Sequence, residues 1–325
     1  MKALKTVLIL FFIACFLSSC GKSESPGENL DTANERVTIA LIMKSLANEF
    51  FVTMAEGAKK HQQMHSSEYE LLVNGTKNES DLAQQVSLVD QMVARNVDAI
   101  VIAPADSKAI VPALARSAAA GIAIVNIDNR LDRKVLEEYG LRIPFVGPDN
   151  RAGAHQVGNV LAARLSAGDA VAILEGIPTA FNSQQRRAGF EDAAREAGLN
   201  IVSIQSASWD QLQAATVTSG LLVQFPQLRA LMCANDSMAI GAISAIRQAG
   251  RGKDIKVVGF DNIPAVKSLL EDGGLIATAD QHADELAVFG IEYVLKAHHK
   301  DDALEDLQTR VDLVTAPSIN MAESN

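Results

Sequence analysis

Polar and aromatic side chains follow the short apolar runs of this sequence, at the positions where those runs end. They are Lys44, Asn48, Phe50, Phe51, Asp128, Asn129, Trp209, Asn235, Asp236, Asp261 and Gln281. Carboxylates accept hydrogen bonds, amides donate and accept them, and aromatic rings offer a flat apolar face. No nucleophile with an adjacent base stands among them, so the set favours recognition of a polar molecule over covalent catalysis.

The same residue types suit a ring that carries several hydroxyl groups, such as a pyranose. Asp128 and Asp261 can each accept hydrogen bonds from neighbouring hydroxyls, and Arg186 can donate two from its planar guanidinium. Phe51 and Trp209 can cover the two faces of the ring. A missing or inverted hydroxyl would leave a buried partner unpaired, which costs about 1–3 kcal/mol. The pattern therefore predicts a selective binding site for a monosaccharide.

Each of these residues also has a purely structural interpretation, and the sequence leaves these alternatives open. Phe50 and Phe51 could belong to the core, and the aspartates that follow apolar runs could cap the next helices. The segment QQRR, which contains Arg186, could form a solvated helix face, and Trp209 could be a packing residue. Only the combination of residues carries the prediction of a site.

Apolar runs of strand length alternate with longer segments of helical period from residue 37 onward. The runs lie at 37–43, 69–74, 98–103 and 122–127, and then at 170–174, 200–205, 228–233, 255–260 and 275–279. Runs that are apolar throughout are typical of strands buried on both faces of a parallel sheet. After the first run, Phe51, Met54, Ala55 and Ala58 recur at helical spacing. The alternation predicts an α/β fold with two doubly wound parallel-sheet lobes.

The border between the predicted lobes lies in the segment FVGPDN, where Pro148 blocks continuation of a strand. A helix predicted from 283 to 299 carries one apolar stripe and would return the chain to the first lobe. The predicted lobes are therefore 36–147 with 282–311, and 148–281 with 312–325. Several short crossings between the lobes predict a multi-strand hinge.

The first residues differ in kind from the rest of the chain. Lys2 and Lys5 precede a short apolar run that ends in small residues, which is typical of a signal peptide over residues 1–19. The segment LSSC resembles a lipobox, so we expect Cys20 to be acylated and to become the first mature residue. The polar stretch 20–35 would then be a flexible tether.

Bulk composition narrows the possible functions. The chain has 325 residues, 48% of them hydrophobic, which is enough for two cores. Its formal net charge is -10 and its basic residues form no patch interleaved with aromatics, so we expect no nucleic-acid partner. Cys15 would be lost with the signal peptide and Cys20 acylated, so Cys233 would be the one free cysteine of the mature chain, and we expect it in the core. We expect no metal ion and no cofactor.

Eight segments, in fixed order, carry a resemblance to a known family. They are IALIMKSLANEFFVTMAEGAKK, VNIDN, VGPDN, LEGIPTAFNSQQRRAGF, SASWDQLQA, CANDSMAIGA, VVGFDNIPA and ATADQ. The chain resembles the periplasmic sugar-binding proteins of the ribose-binding type, and among them the D-allose-binding proteins, from about Val37 to Leu313. This resemblance implies sugar contacts at Asn48, Phe50, Phe51, Asp128, Arg186, Trp209, Asn235, Asp261 and Gln281.

The resemblance implies the substrate-binding lipoprotein of a sugar ABC transporter, not an enzyme, which hands a monosaccharide to a permease in the cytoplasmic membrane. We expect a monomer in the periplasm or at the cell surface, anchored through lipid on Cys20. Lys44 and Trp209 stand where ribose binders typically carry a small hydroxyl residue and a phenylalanine, which favours a hexose such as allose. A sensor that presents sugar to a chemoreceptor or sensor kinase is the alternative.

Two further classes are disfavoured. A repressor of the lactose-repressor type shares this fold but needs a helix-turn-helix where this chain has the signal segment and the tether. A hydrolase needs paired carboxylates with a defined separation and different pKa values. Paired recognition of a sugar explains Asp128 and Asp261 as well as acid-base chemistry does.

Overall fold

Strands that are buried on both faces form the centre of this protein. Every residue of Ala99–Ile102 and of Ala170–Glu175 is buried, as expected where helices cover a parallel sheet. The computed structural model describes residues 36–299 and 305–316. Within them, two parallel sheets with flanking helices form two doubly wound lobes, which confirms the predicted fold class.

The first lobe is built around a six-stranded sheet and the helices that pack on it. Its strands are β1 (Val37–Met43), β2 (Tyr69–Gly75), β3 (Ala99–Ile102), β4 (Ala123–Ile127), β5 (Phe145–Pro148) and β11 (Leu307–Thr309). Its helices are α1 (Glu49–Met64), α2 (Leu82–Ala94), α3 (Val111–Ala119), α4 (Arg133–Glu138) and α10 (Ala283–His299). The strands lie parallel in the order β11-β5-β4-β3-β1-β2.

Alternate residues of β1 face two separate cores, as the period of a strand requires. Ile39 and Leu41 pack in the core that contains residues of α1 and α10. Ala40 and Ile42 face the opposite core, which contains residues of α2 and α3. The first sheet is therefore covered on both faces, which explains why its strands are apolar throughout.

The second lobe is built around a four-stranded parallel sheet in the order β7-β6-β8-β9. Its strands are β6 (Ala170–Glu175), β7 (Asn200–Ser206), β8 (Leu228–Cys233) and β9 (Lys256–Val258). Its helices are α5 (Asn150–Ala162), α6 (Phe181–Glu196), α7 (Gln211–Gln224), α8 (Asp236–Gln248), a 3-10 helix (Pro264–Val266) and α9 (Lys267–Glu271). Cys233 is fully buried at the end of β8, which confirms its prediction as a core residue.

A two-stranded antiparallel sheet and three chain crossings connect the lobes. The small sheet pairs β10 (Thr278–Asp280) with β12 (Asp312–Val314). The described chain passes from β5 to α5, from β10 to α10 and from β11 to β12. These crossings form the multi-strand hinge expected from the sequence.

The structure departs from the sequence prediction mainly near this hinge. The apolar run at 275–279 was expected to be a strand of the second parallel sheet, and that expectation is wrong in both position and pairing. The strand is β10, which begins at Thr278 and pairs antiparallel with β12. The short strands β5, β11 and β12 have three or four residues each and were not among the predicted apolar runs.

Strand order places a crevice at corresponding points of the two lobes. In the first sheet β1 lies between β2 and β3, and in the second β6 lies between β7 and β8. In the first lobe the chain therefore adds strands on both sides of β1, and in the second lobe it adds strands on both sides of β6. Ligands of open α/β sheets bind beyond the carboxyl ends of the strands at such switch points.

Some sequence predictions lie outside the described residues. These are the signal peptide over 1–19, the tether over 20–35 and lipidation of Cys20. Between residues 36 and 299 and between 305 and 316, no helix is long and apolar enough to cross a membrane. The same residues contain no group of three His, Cys, Asp or Glu side chains placed to hold a metal ion.

Close packing of α1 on α10 generates a stability prediction. A Cβ atom at Gly57 would overlap the backbone carbonyl of Asp284 in α10. We therefore expect Gly57→Ala to lower the free energy of unfolding by about 1–3 kcal/mol, because the helices must move apart. Gly220 in α7 is the matched control, since a Cβ there meets nothing within 4 Å. Urea unfolding should show Gly220→Ala to be neutral or slightly stabilising; equal losses in both variants would contradict this account.

Candidate functional site

A small buried cavity lies between the carboxyl ends of the two sheets. Ten side chains line it, namely Lys44, Phe50, Phe51, Glu79, Asp128, Asn182, Arg186, Trp209, Asp261 and Gln281. All of them except Glu79 and Asn182 were predicted from the sequence. The cavity volume is about 10 Å³, far below the roughly 300 Å³ at which ordinary ligand pockets begin. The lobes therefore meet closely around the predicted residues.

Asp128 and Asp261 stand beyond β4 and β9 in backbone conformations that are rare for residues other than glycine. Their φ angles are 60° and 114°. The interpretation of these aspartates as helix caps is wrong, because α4 is capped by Asp132, and the 3-10 helix has Ile263 as its N-cap residue and no side-chain cap. Their unusual backbone instead accompanies two side chains that line the cavity, one from each lobe.

Two buried ion pairs hold these carboxylates. Lys44 Nζ lies 2.9 Å from Asp128 Oδ2, and Arg186 Nη1 lies 3.0 Å from Asp261 Oδ1. Arg186 also donates from Nε to Asn150 Oδ1 at 2.7 Å. Because Arg186 is only 2% exposed, its interpretation as part of a solvated helix face is wrong. Buried charges of this kind are stable only where partners surround them.

Lys44 lies between two aromatic rings that come from different lobes. Its Nζ atom is 5.5 Å from the ring centroid of Phe51 and 5.6 Å from that of Trp209. The indole packs over Gly176, where any side chain would overlap it. Phe50 meets Phe51 edge-on, with ring centroids 5.1 Å apart. Both phenylalanines pack in the core and also line the cavity, so the two interpretations of them are compatible.

Asn48 and Asn235 lie outside the cavity lining and cap helices. Asn48 Oδ1 accepts a hydrogen bond from the Phe50 backbone N–H at 3.0 Å, at the start of α1. Asn235 Oδ1 accepts one from the Met238 N–H at 2.9 Å, at the start of α8. Side chains of this type satisfy N–H groups that a helix terminus leaves unpaired. A contact between either amide and a ligand stays a prediction.

Several buried polar atoms of the lining residues have no hydrogen-bond partner among the described residues. They are Asn182 Oδ1, Trp209 Nε1 and Gln281 Oε1, together with Asp128 Oδ2, which forms the ion pair with Lys44 but has no well-directed hydrogen bond. Nearly all buried polar groups in proteins are paired, because an unpaired one costs about 1–3 kcal/mol. Unpaired acceptors and a donor that converge on one cavity are therefore a signature of recognition of a polar molecule.

Sequence reasoning missed Glu79 and Asn182, although each had a usable signal. Glu79 lies in the loop after β2, where the strand-end argument that selected the other residues also applies. Asn182 precedes Arg186 by four residues in α6, and this spacing places both on one face of the helix.

Side chains of the first lobe cap the start of α6 in the second. Ala180, the N-cap residue, makes no side-chain hydrogen bond. Instead, the Phe181 N–H donates to Ser107 Oγ at 2.9 Å, and the Asn182 N–H donates to Asn129 Oδ1 at 3.1 Å. Contact between the lobes thus satisfies N–H groups that this helix terminus would otherwise leave unpaired. The helix that carries the arginine of the cavity is tied to the opposite lobe.

Burial changes the pKa values of acids in the cavity. It raises the pKa of Asp261 to about 7, although Arg186 acts in the opposite direction. It also raises the pKa of Glu79, and Lys44 and Asn48 oppose that change. The protonation of these carboxyl groups therefore depends on whatever shares the cavity with them.

Residues 39–299 match the periplasmic binding protein domain. The chain belongs to the periplasmic binding protein family. The D-ribose/D-allose-binding protein of Pseudomonas aeruginosa is 53% identical to it over 290 residues, which cover 87% of this chain and 90% of that protein. Members of this family are solute-binding proteins.

Two solved structures of ABC transporter solute-binding proteins are similar to this binding protein. One, from Burkholderia multivorans, is 52% identical with a TM-score of 0.84, over 86% of this chain and 99% of that chain, and contains an unknown ligand represented as alpha-D-erythrofuranose. The other, from Actinobacillus succinogenes, contains D-allose and is 36% identical with a TM-score of 0.83, over 88% of this chain and 100% of that chain. The two lobes and hinge are those of a type 1 periplasmic binding protein.

The raised pKa of Asp261 predicts how stability changes with pH. In the unfolded chain this carboxyl would titrate near 3.8, whereas its pKa in the folded protein is about 7. Between these values the folded state keeps a proton that the unfolded state has released, so ionisation of Asp261 makes stability fall as pH rises. Asp261→Asn should remove the part of the pH-dependent fall in the free energy of unfolding that ionisation of Asp261 causes.

Chemical unfolding of wild type and Asp261→Asn at several pH values between about 4 and about 7.5 measures this difference. The pKa of buried Asp236 is also raised, by burial first and by Asp261 second. Asp236 is present in both proteins, so the part of its contribution that burial causes cancels in the comparison. Parallel stability curves for the two proteins would show that Asp261 does not titrate in this range.

Proposed function

We propose that this protein is the substrate-binding lipoprotein of a sugar ABC transporter and that it holds one monosaccharide in the cavity between its lobes. The observation that carries the proposal is the convergence of carboxylates, cations, aromatic rings and unpaired buried polar atoms on one enclosed space. These groups match a molecule that presents hydroxyls around its rim and C–H groups on its faces. The proposal includes no catalytic role.

The two lobes supply complementary parts of the proposed sugar site. The first contributes Asp128 as an acceptor and Lys44 as a donor, and the second contributes Asp261 and Arg186 in the same roles. Each ion pair leaves further donor and acceptor positions that sugar hydroxyls can share. Phe51 and Trp209, from opposite lobes, would cover the two ring faces, as stacking on sugars requires.

A cavity of about 10 Å³ cannot admit a monosaccharide while the lobes remain in contact. Entry therefore requires the lobes, which we propose to be 36–147 with 282–311 and 148–281 with 312–325, to separate at the three hinge crossings. Ligand that contacts both lobes would then favour closure, because only the closed form makes all of its contacts.

Lys44 and Trp209 support a hexose, with allose as the leading candidate. A long ammonium side chain and a large indole extend the polar rim and the apolar face of the cavity, which suits the additional CH₂OH group of a hexose. The names of the similar proteins from Pseudomonas aeruginosa and Actinobacillus succinogenes agree with a sugar of the ribose and allose group.

Titration calorimetry with allose, psicose, galactose, glucose, ribose and inositol tests the proposal. We expect a hexose to bind most tightly to the wild type. Asp261→Ala should weaken binding of that sugar by about a hundredfold, because it leaves Arg186 and sugar hydroxyls buried without their acceptor. Trp209→Phe should weaken it less than about tenfold, since a ring face remains.

Asp254→Ala is the control, because Asp254 is an exposed residue of the same lobe, away from the cavity. It should bind sugar as the wild type does. Tightest binding of ribose would contradict the hexose proposal. Wild-type affinity in Asp261→Ala would contradict the proposed site, and failure of every sugar to bind would contradict the function.

The export and anchoring of the chain are part of the same proposal. Residues 1–19 have the composition of a signal peptide, and Cys20 ends a segment that resembles a lipobox. We propose that lipid on Cys20 holds the protein at a membrane in the periplasm or at the cell surface, and that the monomer delivers its sugar to a permease. A lipid anchor would keep the binding protein close to its membrane partner.

Cys20→Ala should move the protein from the membrane fraction into the soluble fraction, because acyl chains supply the proposed membrane affinity. Fractionation of cells followed by immunoblotting measures this. Cys233→Ala is the matched control, since it removes a buried cysteine of the folded domain and should leave the protein with the membranes. Membrane association of Cys20→Ala after cleavage of the signal peptide would contradict lipidation.

A further inference from the structure

Glu79 places a second carboxylate beside the ammonium group of Lys44. Glu79 Oε2 lies 3.6 Å from Lys44 Nζ, on which Asp128 Oδ2 also converges at 2.9 Å. Lys44 is 2% exposed and Glu79 is 9% exposed, so water solvates this arrangement very little. An ammonium between two carboxylates has its direction fixed by both, whereas one carboxylate alone would leave it free to turn.

The other oxygen of Glu79 orients the amide of Asn48. Asn48 Nδ2 donates to Glu79 Oε1 at 2.7 Å, while Asn48 Oδ1 accepts from the Phe50 N–H at the start of α1. Both ends of the amide are therefore engaged, which fixes its orientation and leaves one N–H for another acceptor. Glu79 thus contacts the two donors of the first lobe that the sequence placed among the sugar contacts.

The loop that carries Glu79 is tied to the loop that carries Lys44. Thr76 Oγ1 donates to the backbone carbonyl of Lys44, and the Leu46 N–H donates to the Thr76 carbonyl at 3.0 Å. Beyond Thr76, the side chain of Asn78 accepts from the Ser80 N–H at 3.1 Å. These bonds fix the loop that carries Glu79 relative to the end of β1. The Glu79 carboxylate is therefore held in a fixed position beside Lys44.

A purely structural role does not account for the position of Glu79. The next helix, α2, is capped by Asp81, whose side chain accepts from the Gln84 N–H at 3.0 Å. The Glu79 carboxylate instead contacts the Lys44 ammonium and the Asn48 amide, and it lines the cavity itself. Burial of an acid at this place has a cost that α2 does not require.

We propose that Glu79 is a positioning residue that sets sugar specificity by holding Lys44 and Asn48 as two fixed donors toward one edge of the bound monosaccharide, an inference that rests on the proposed function. The Lys44 ammonium forms ion pairs with both carboxylates, and its remaining donor capacity faces the cavity that it lines. Together with the second N–H of the Asn48 amide, it selects sugars whose hydroxyl oxygens lie at matching positions. Without Glu79 the ammonium turns toward Asp128, and the discrimination between hydroxyl patterns is lost.

Glu79→Gln tests this role, because it keeps the shape of the side chain and removes its charge. We expect it to weaken binding of the best sugar of the calorimetry panel by about tenfold or more, as for loss of a charged hydrogen-bond partner. For monodeoxy analogues that lack the hydroxyl facing Lys44, Glu79→Gln should weaken binding much less. The measured quantity is the ratio of the affinity for the best sugar to the affinity for its monodeoxy analogue, in the wild type and in the variant.

Glu175→Gln is the matched control. Glu175 is also 9% exposed and has a cation partner, Arg187, at 3.3 Å, but it does not line the cavity. This variant should keep wild-type affinities and ratios. Thermal unfolding of each free variant establishes that it is folded before sugar is added. Glu79→Asp, which keeps the charge, should recover part of the selectivity that Glu79→Gln loses.

A double-mutant cycle separates positioning from a general effect. In a Lys44→Met background, Glu79→Gln should have little further effect on the affinity ratio, because the ammonium that it positions is gone. Equal losses for every sugar, or the same change of ratio in both backgrounds, would overturn the role assigned to Glu79. If the wild type bound no monosaccharide, the proposed function would fail together with this inference; sugar binding with Glu79→Gln indistinguishable from Glu175→Gln would overturn the inference alone.

Discussion

Burial of five ionisable side chains around one small cavity is the constraint on which the rest of this structure depends. They are Lys44, Glu79, Asp128, Arg186 and Asp261. A charge removed from water is stable only if partners replace its solvation. The first lobe pairs its carboxylates with one lysine, and the second pairs Asp261 with one arginine. The set of the second lobe is balanced in charge, whereas the first lobe has two carboxylates for one ammonium, and burial raises the pKa of Glu79. The approach of the lobes encloses both sets.

The contacts between the lobes connect this charged cavity to the hinge. The start of α6 receives its caps from Ser107 and Asn129 of the first lobe, and the same helix carries Arg186. A second contact links Glu49 Oε2, at the start of α1, to the Ala265 N–H at 3.1 Å. Separation of the lobes would expose these N–H groups to water, and closure around a ligand would satisfy them again. Helix capping therefore favours the same closed arrangement as a shared ligand.

The fold alone would not distinguish a transport binder from other proteins with two doubly wound lobes, because such folds carry many functions. The side chains at the strand ends support recognition of a polar molecule. Donors, acceptors and rings surround one space, and buried polar atoms of Asn182, Trp209 and Gln281 lack partners there. The role proposed for Glu79 extends this recognition to the loop after β2, because its carboxylate contacts both the Lys44 ammonium and the Asn48 amide.

The sequence by itself determined the elements whose signals are local. Strand runs, the alternation of strands and helices, the returning helix α10 and the polar residues at strand ends all depend on neighbours within a few residues, so periodicity and side-chain type reveal them. Only the tertiary structure decided the hinge contacts, the helix caps and the cavity lining, because these depend on residues far apart in the sequence. Phe145 and Asp306, which bond at the hinge, are 161 residues apart, and the caps of α6 come from another lobe. Asn48 and Asn235 became caps, and Glu79 and Asn182 became part of the cavity lining, because only the folded chain fixes which polar groups share one buried space.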